Sequence, residues 1–263
     1  MHLNIYTSTN TGKRRKNNED NFYANGRRYD GVSDDYSDCF TEETGDNKIF
    51  AVCDGMGGES CGEVASACAV DVLEEYRESI NKATDISELK EAVNQYTTEA
   101  NNRICDEVVN AGGLRGGTTL TLACIRDKKI FMFYLGDSRI YMYRDNVLTR
   151  ITRDHTVAYE KVDANIYTEE EADKSPDAHK LTMFLGVDLY KMGVSADYAG
   201  SYTLTPGDRF LMCSDGLTDM CNSEEISNIL DMECENPASE LVMTALDNGG
   251  KDNVTCLVIE VTE

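Results

Sequence analysis

The chain has 263 residues, of which 41% are hydrophobic, so it is long enough to bury a large apolar core. Its 48 acidic and 25 basic residues give a net charge of −23, which argues against the basic surface that a nucleic-acid-binding protein requires. The ten cysteines form no Cys-x-x-Cys pair, and no apolar leader or membrane-length apolar run is found, so we expect a cytoplasmic protein without membrane insertion.

The first half of the chain predicts one loop and two long helices. Residues 29 to 48 are acidic and polar and are expected to form a mobile loop. Small or apolar residues recur one helical turn apart from Gly62 to Ile80, and again from Ile86 to Val109. Asp85 directly precedes the second stretch and is a candidate N-cap, so both helices should pack against a sheet.

The second half predicts strands followed by helices. Residues 116 to 152 alternate β-branched and aromatic residues between turn signals at Asp127-Lys128 and Asp145-Asn146, which predicts an antiparallel meander. Two more strands are expected in "GDRFLMCSDG", residues 207 to 216, and in "DNVTCLVIEVT", residues 252 to 262, separated by helical stretches near 223 to 247. Strands and helices grouped in runs indicate the α+β class. Three prolines and no linker-like tract favour one domain over residues 1–263.

Acidic residues beside glycine recur where the predicted strands begin or end. A single Asp-Gly pair is typical of a turn, but several such acids could converge at one rim of a sheet domain. Clustered carboxylates repel unless cations balance them, and a donor set of oxygen atoms alone suits Mg²⁺ or Mn²⁺. The acids that share this position are Glu19, Asp20, Asp54, Asp137, Asp215 and Asp252.

Six motifs stand in an order that resembles the metal-dependent Ser/Thr protein phosphatases, the protein phosphatase 2C-like family, in its bacterial branch. They are "RRKNNEDNFY", "FAVCDGMGG", "GGTTL", "LGDSRIYMYRDNVLTRITRDHT", "FLMCSDGLTD" and "GKDNVT". The resemblance extends from about Thr7 to Val261. It implies a four-layer αββα sandwich, in which two antiparallel sheets pack face to face and helices cover both outer faces.

The resemblance also implies a set of metal ligands. Asp54 would bridge two Mn²⁺ or Mg²⁺ ions, and the carbonyl of Gly55 would complete the second site. Asp215 and Asp252 would bind the first ion. Asp137 would bind a weaker third ion, to which Asp215 could also contribute.

Further residues are expected to act on the substrate and the attacking water. The resemblance implies that Arg15 grips the substrate phosphate and that Asp20 holds a metal-bound water. Glu19 and Asn253 are expected to support the site from behind its ligands. A water bridging the two ions would then attack phosphorus directly, which predicts hydrolysis of phosphoserine and phosphothreonine esters on proteins.

Two positions depart from the family pattern. Met56 stands where animal members carry a histidine proposed to protonate the leaving group, so metal-bound water or solvent must supply that proton. Met183 stands where bacterial relatives usually have an arginine, which puts any substrate contact of that arginine in doubt. Residues 154–182 fall where the family has a flap beside the active site.

Rival mechanisms lack their residues. No cysteine is followed six positions later by arginine, and no two aspartates are two positions apart, so cysteine-based and aspartyl-phosphate phosphatases are excluded. A pseudophosphatase that only binds phosphoproteins is the alternative function. The expected partners are phosphorylated proteins, including a Ser/Thr kinase and its targets, and a role in signalling follows from them.

Overall fold

The computed structural model describes residues 1–31, 33, 35–57, 61–113, 115–187 and 194–263. Gly58, the last glycine of the "DGMGG" motif, lies outside these residues. None of the helices in the described ranges has both the length and the apolar character that crossing a membrane requires.

Strands make up most of the interior. They are β1 (His2–Asn10), β2 (Asp20–Ala24), β3 (Arg27–Arg28), β4 (Asp35–Glu43), β5 (Lys48–Met56), β6 (Gly117–Thr118), β7 (Leu120–Arg126), β8 (Lys129–Leu135), β9 (Arg139–Arg144), β10 (Val147–Arg150), β11 (Asp197–Thr203), β12 (Arg209–Cys213) and β13 (Val254–Thr262). The helices are α1 (Cys61–Lys82), α2 (Ile86–Asn110), α3 (Val157–Asp163), α4 (Glu169–Asp173), α5 (Asp215–Thr218), α6 (Ser223–Asp231) and α7 (Pro237–Asp247).

The strands form two antiparallel sheets that pack face to face. The first sheet has the order β10-β9-β12-β13-β1-β4, and the second has the order β11-β8-β7-β5-β2-β3, with β6 paired to β5. Side chains alternate between the two faces of a strand. On β12, Phe210 and Met212 therefore enter the core between the sheets, whereas Leu211 and Cys213 face the helices on the outside.

Helices cover both outer faces, so the predicted αββα sandwich is confirmed. Helices α1 and α2 pack together on the second sheet, and α5, α6 and α7 pack on the first. Asp85 caps α2 as predicted, because its carboxylate accepts hydrogen bonds from the backbone N–H groups of Ser87 and Glu88.

Two local expectations were wrong. The predicted mobile loop at residues 29 to 48 contains the nine-residue edge strand β4, which pairs with β1 along its whole length. Exposed and half-buried positions alternate along it, and Tyr36 and Phe40 are among the half-buried ones, so one face packs while the other stays in solvent. The predicted meander is also divided, since β7 and β8 lie in the second sheet and β9 and β10 in the first.

Candidate metal centre

The acids predicted at strand ends converge on one open depression at the rim of the sandwich, with a volume of about 630 Å³. The predicted residues that line it are Arg15, Glu19, Asp54, Gly55, Met56, Asp137, Asp215 and Asp252. Asp20 lies behind them, almost completely buried, and contributes to a neighbouring cleft. The structure thus brings together residues that are far apart in the chain.

Strand register sets the relation between Asp20 and Asp54. The two residues are directly opposite each other on the antiparallel strands β2 and β5, so their side chains leave the same face of the sheet. Ser214 Oγ donates a hydrogen bond of 2.7 Å to the Asp20 carboxylate. The backbone N–H of Asp54 donates to Thr119 Oγ1 at 3.0 Å. Both acids are therefore held by strands rather than by flexible loops.

Gly55 follows Asp54 because no larger residue fits. A Cβ atom at this position would lie 2.2 Å from the Gly62 carbonyl oxygen and 2.4 Å from that of Glu19. The backbone N–H of Gly55 also donates to the Glu19 carbonyl at 3.1 Å. Glycine is thus required for the close approach of three backbone segments, not only for a turn.

Asp137 lies where the chain crosses from one sheet to the other. Gly136 adopts a φ of +103°, and the chain then passes from β8 to β9. Ser138 Oγ lies 2.6 Å from Thr119 Oγ1, which ties this crossing to the segment that supports Asp54. The crossing therefore places the Asp137 carboxylate beside the acids of the neighbouring strands.

The segment that carries Arg15 is joined to the beginning of β13. Arg15 Nη2 lies 2.6 Å from an Asp252 carboxylate oxygen. Asn253 accepts a 2.8 Å hydrogen bond from the Glu19 backbone N–H, and its amide donates to the carbonyls of Thr11 and Asn17 at 2.8 and 2.9 Å. Asn253 thus fixes the loop on both sides of Arg15.

The site has an excess of buried negative charge. Burial raises the pKa of Asp54 well above its ordinary value, and four neighbouring acids raise it further. Burial has the same effect on the pKa of Asp137, with added repulsion from Asp215, and it raises the pKa of Asp20 to about 7. Within the described residues, no other residue donates a hydrogen bond to the carboxylate of Asp54 or Asp137. Divalent cations are the groups that would balance this charge.

His179 also lies in the site, although no sequence motif pointed to it. Its Nδ1 lies 3.3 Å from an Asp215 carboxylate oxygen, and its Nε2 lies 3.6 Å from Asp219. The hydrogen bond with Asp215 raises the pKa of His179 to about 9. The residue comes from the flap segment, residues 154–182, and no spacing relates it to the acids at the strand ends.

The rest of the flap segment is attached through Arg139, two residues after Asp137. The Arg139 guanidinium bonds to Asp154 at 2.7 Å, where the segment begins, and to Asp173 on α4 at 2.9 Å. Arg139 therefore joins the strand beside Asp137 to the flap, and its charge-assisted hydrogen bonds to the buried Asp154 make this contact a strong one.

The two departures from the family pattern occupy different places. Met56 lines the depression next to Gly55. Met183 packs against the core that α1 and α2 form on the second sheet. The thioether of Met56 cannot donate a proton, so Met56 cannot protonate the leaving group as the histidine of animal members is proposed to do.

Comparison with known proteins agrees with this geometry. Residues 27–248 match the family model described as "Protein phosphatase 2C". The Ser/Thr protein phosphatase PstP of Mycobacterium tuberculosis is 32% identical over 263 residues, which cover 99% of this chain and 45% of PstP. The protein phosphatase PhpP of Streptococcus pneumoniae is 30% identical over 264 residues, covering 99% of this chain and 98% of PhpP.

A solved structure also resembles this fold over its full length. The catalytic domain of PstP in complex with two manganese ions superposes with a TM-score of 0.75 at 30% identity, and the match covers 100% of both chains. The chain spans less than half the length of full PstP, so the match concerns its phosphatase domain. The fold, the acid-lined depression and these matches together show that the chain belongs to the protein phosphatase 2C family.

Proposed function

We propose that this protein is a metal-dependent phosphatase that hydrolyses phosphoserine and phosphothreonine esters on proteins. The observation that carries the proposal is the convergence of four strand-end acids, Asp54, Asp137, Asp215 and Asp252, on one depression that also contains Arg15. A pseudophosphatase is disfavoured, because loss of metal-binding acids would mark such a protein and all four are present. The relatives named as Ser/Thr protein phosphatases support the same choice.

The donor set fits divalent cations. Asp54, the Gly55 carbonyl, Asp215 and Asp252 would hold two ions, and Asp137 with Asp215 would hold a weaker third. Because carboxylate and carbonyl oxygens dominate, Mn²⁺ and Mg²⁺ are the proposed ions. When bound, such ions stabilise negative charge on the phosphoryl oxygens and lower the pKa of water.

Arg15 is proposed to bind the substrate phosphate. A guanidinium can donate two parallel hydrogen bonds to one phosphate, which orients the ester and offsets its charge. Arg15 bonds to Asp252 in the structure, so it would exchange this partner for the phosphate when Asp252 binds a cation. The half-exposed Arg15 side chain has room to make that exchange.

Asp20 and Glu19 are proposed to position the attacking water from the side of the sheet. Asp20 accepts from Ser214 and stands opposite Asp54, so its carboxylate is held in place by two fixed strands. Asn253 supports this arrangement by holding the Glu19 backbone. Met56 cannot protonate the leaving serine or threonine oxygen, so water is the proposed proton source.

The biological setting follows from the same proposal. Residues 1–263 are proposed to be one catalytic domain whose flap, residues 154–182, borders the substrate. Phosphorylated proteins, including a Ser/Thr kinase and its targets, are the proposed partners. All ten cysteines are free, which supports the cytoplasm as the proposed location.

Hydrolysis of para-nitrophenyl phosphate and of a phosphothreonine peptide tests the proposal. We expect turnover with Mn²⁺, loss with EDTA, and a decrease of roughly a hundred-fold or more in Asp54→Asn, because bound metal contributes several kcal/mol to catalysis. Asp127→Asn, the same chemical change in the turn between β7 and β8, should retain activity. A wild-type protein that binds the phosphopeptide without hydrolysing either ester would contradict the proposal and favour the pseudophosphatase.

A further inference from the structure

We infer that His179 supplies a nitrogen ligand to a cation held by Asp137 and Asp215, so that this ion joins the flap to the rim of the sheets. The inference rests on the proposed function, which assigns only the two aspartates to a third ion. Its new element is the histidine, whose imidazole gives the site a mixed nitrogen and oxygen donor set.

Geometry provides the first argument. One possible ligand atom from each of Asp137, His179 and Asp215 can be chosen so that all three lie within 4.8 Å of one another. His179 Nδ1 faces Asp215, while Nε2 lies 3.6 Å from a carboxylate oxygen of Asp219. Histidines that bind metals usually direct their second ring nitrogen towards a carboxylate or another acceptor, and Asp219 is placed for that role.

The Asp137 carboxylate provides an independent argument. Asp137 is only 7% exposed, and no other described residue donates a hydrogen bond to its side chain. It lines a cavity of about 90 Å³ together with His179, Asp215 and Asp219. This space is large enough for an ion and one or two waters. A buried carboxylate that receives no hydrogen bond from another described residue and lines such a cavity is placed to bind a cation.

A simpler role for His179 explains less. If the histidine only formed an ion pair with Asp215, its position near Asp215 and Asp219 would be accounted for. The Asp137 carboxylate would then remain buried beside Asp215 with no partner from another described residue. A shared cation satisfies Asp137, Asp215 and His179 at once.

The position of His179 connects the ion to the flap. The backbone N–H of Val157 donates to the Lys180 carbonyl, and that of Thr182 donates to the His155 carbonyl, both at 2.9 Å. These bonds hold the two ends of the flap segment together, and His179 directly precedes Lys180, one of the bonded residues. An ion bound to His179 would therefore hold the flap against the rim that carries Asp137 and Asp215.

The imidazole should also change which metals the site accepts. Imidazole suits transition metals, whereas Mg²⁺ prefers oxygen donors and retains much of its water. We therefore expect this site to favour Mn²⁺ over Mg²⁺ more strongly than a site made only of carboxylates. Replacing His179 should reduce that preference.

Pulsed EPR of Mn²⁺ bound to the tag-free protein tests the inference, because the chain has only three histidines. We expect ¹⁴N coupling to Mn²⁺ in the wild-type protein and its loss in His179→Gln. His2→Gln, at an exposed position on β1, should keep the coupling. Equilibrium dialysis should show that one Mn²⁺ binds about ten-fold or more weakly to His179→Gln, while the remaining ions bind unchanged.

The outcomes separate this inference from the proposed function. Absence of ¹⁴N coupling at saturating Mn²⁺, or coupling that persists in His179→Gln, would overturn the role of His179 even if the same sample hydrolyses phosphopeptide. Coupling that depends on His179 in a protein without hydrolytic activity would support the histidine ligand and contradict the phosphatase proposal. Circular dichroism of each variant checks that the fold is retained.

Discussion

The core between the two sheets and the rim that carries the acids are built from the same strands but follow opposite rules. In the core, buried apolar side chains such as Phe50 and Phe210 pack without polar atoms that need partners. At the rim, β2 begins at Asp20 and β5 carries Asp54 two residues before its end, and the two carboxylates repel each other. Apolar burial between the sheets thus stabilises the sandwich, whereas repulsion between carboxylates destabilises it at the rim, where the chemistry is proposed to occur.

Truncating the core should produce the largest change. Phe210 is fully buried between the sheets, so Phe210→Ala should lower the free energy of unfolding by about 3–5 kcal/mol. Urea titrations in EDTA and in Mn²⁺ should give the same loss, because the residue is remote from the acids. Val147→Ala, at a residue 58% exposed on β10, is the control and should change stability by less than about 0.5 kcal/mol. If Mn²⁺ abolished the loss of unfolding free energy in Phe210→Ala, the stability of the core would not be independent of the metal site at the rim.

Each bound metal ion should stabilise the rim by a smaller amount. Mn²⁺ at a hundred times its dissociation constant should raise the free energy of unfolding by about 2.7 kcal/mol per independent ion, since cations bind the folded site and relieve its repulsion. Thermal unfolding with Mn²⁺ and with EDTA measures the difference. An unchanged midpoint in a protein whose activity requires metal would show that the acids do not destabilise the metal-free fold.

Removing one charge should have the smallest effect, and its sign is opposite to that of the core substitution. Asp54→Asn should stabilise the metal-free protein by about 1 kcal/mol, because it removes one member of a buried group of mutually repelling carboxylates. Urea unfolding in EDTA measures it, with Asp127→Asn as the control for the same chemical change outside the rim. Destabilisation by Asp54→Asn alone would indicate that the carboxylate makes a structural contact that outweighs the repulsion.

Much of the difference between the apolar core and the acidic rim could be predicted from the sequence. Period-two alternation predicted the strands within residues 116 to 152, and glycine next to acid marked strand ends that meet at the rim. The order of six motifs then indicated how these strands assemble into two sheets. Local signals were sufficient because each strand end is defined by the residues immediately around it.

Other features depend on contacts that no local pattern encodes. Strand β4 does not stand out in the sequence, because its high content of acids obscures the alternation of exposed and half-buried positions. It nevertheless pairs with β1 along its whole length. The chain crosses between the two sheets at Gly136, and this crossing depends on how the sheets pack. The local alternation is the same on both sides of Gly136, so it predicted a continuous meander. His179 reaches Asp215 only because the flap folds back beside the strands, and Arg139 holds the flap through Asp154 and Asp173.

The pairing of Asp20 with Asp54 also limits how the chain can change length. Because side chains alternate along a strand, inserting or deleting one residue within Asp20–Ala24 would turn the following side chains to the opposite face of the sheet or move Asp20 out of line with Asp54. Natural length variation among relatives, and any inserted tag or domain, should therefore avoid β2 and β5 and fall in connections between strands instead.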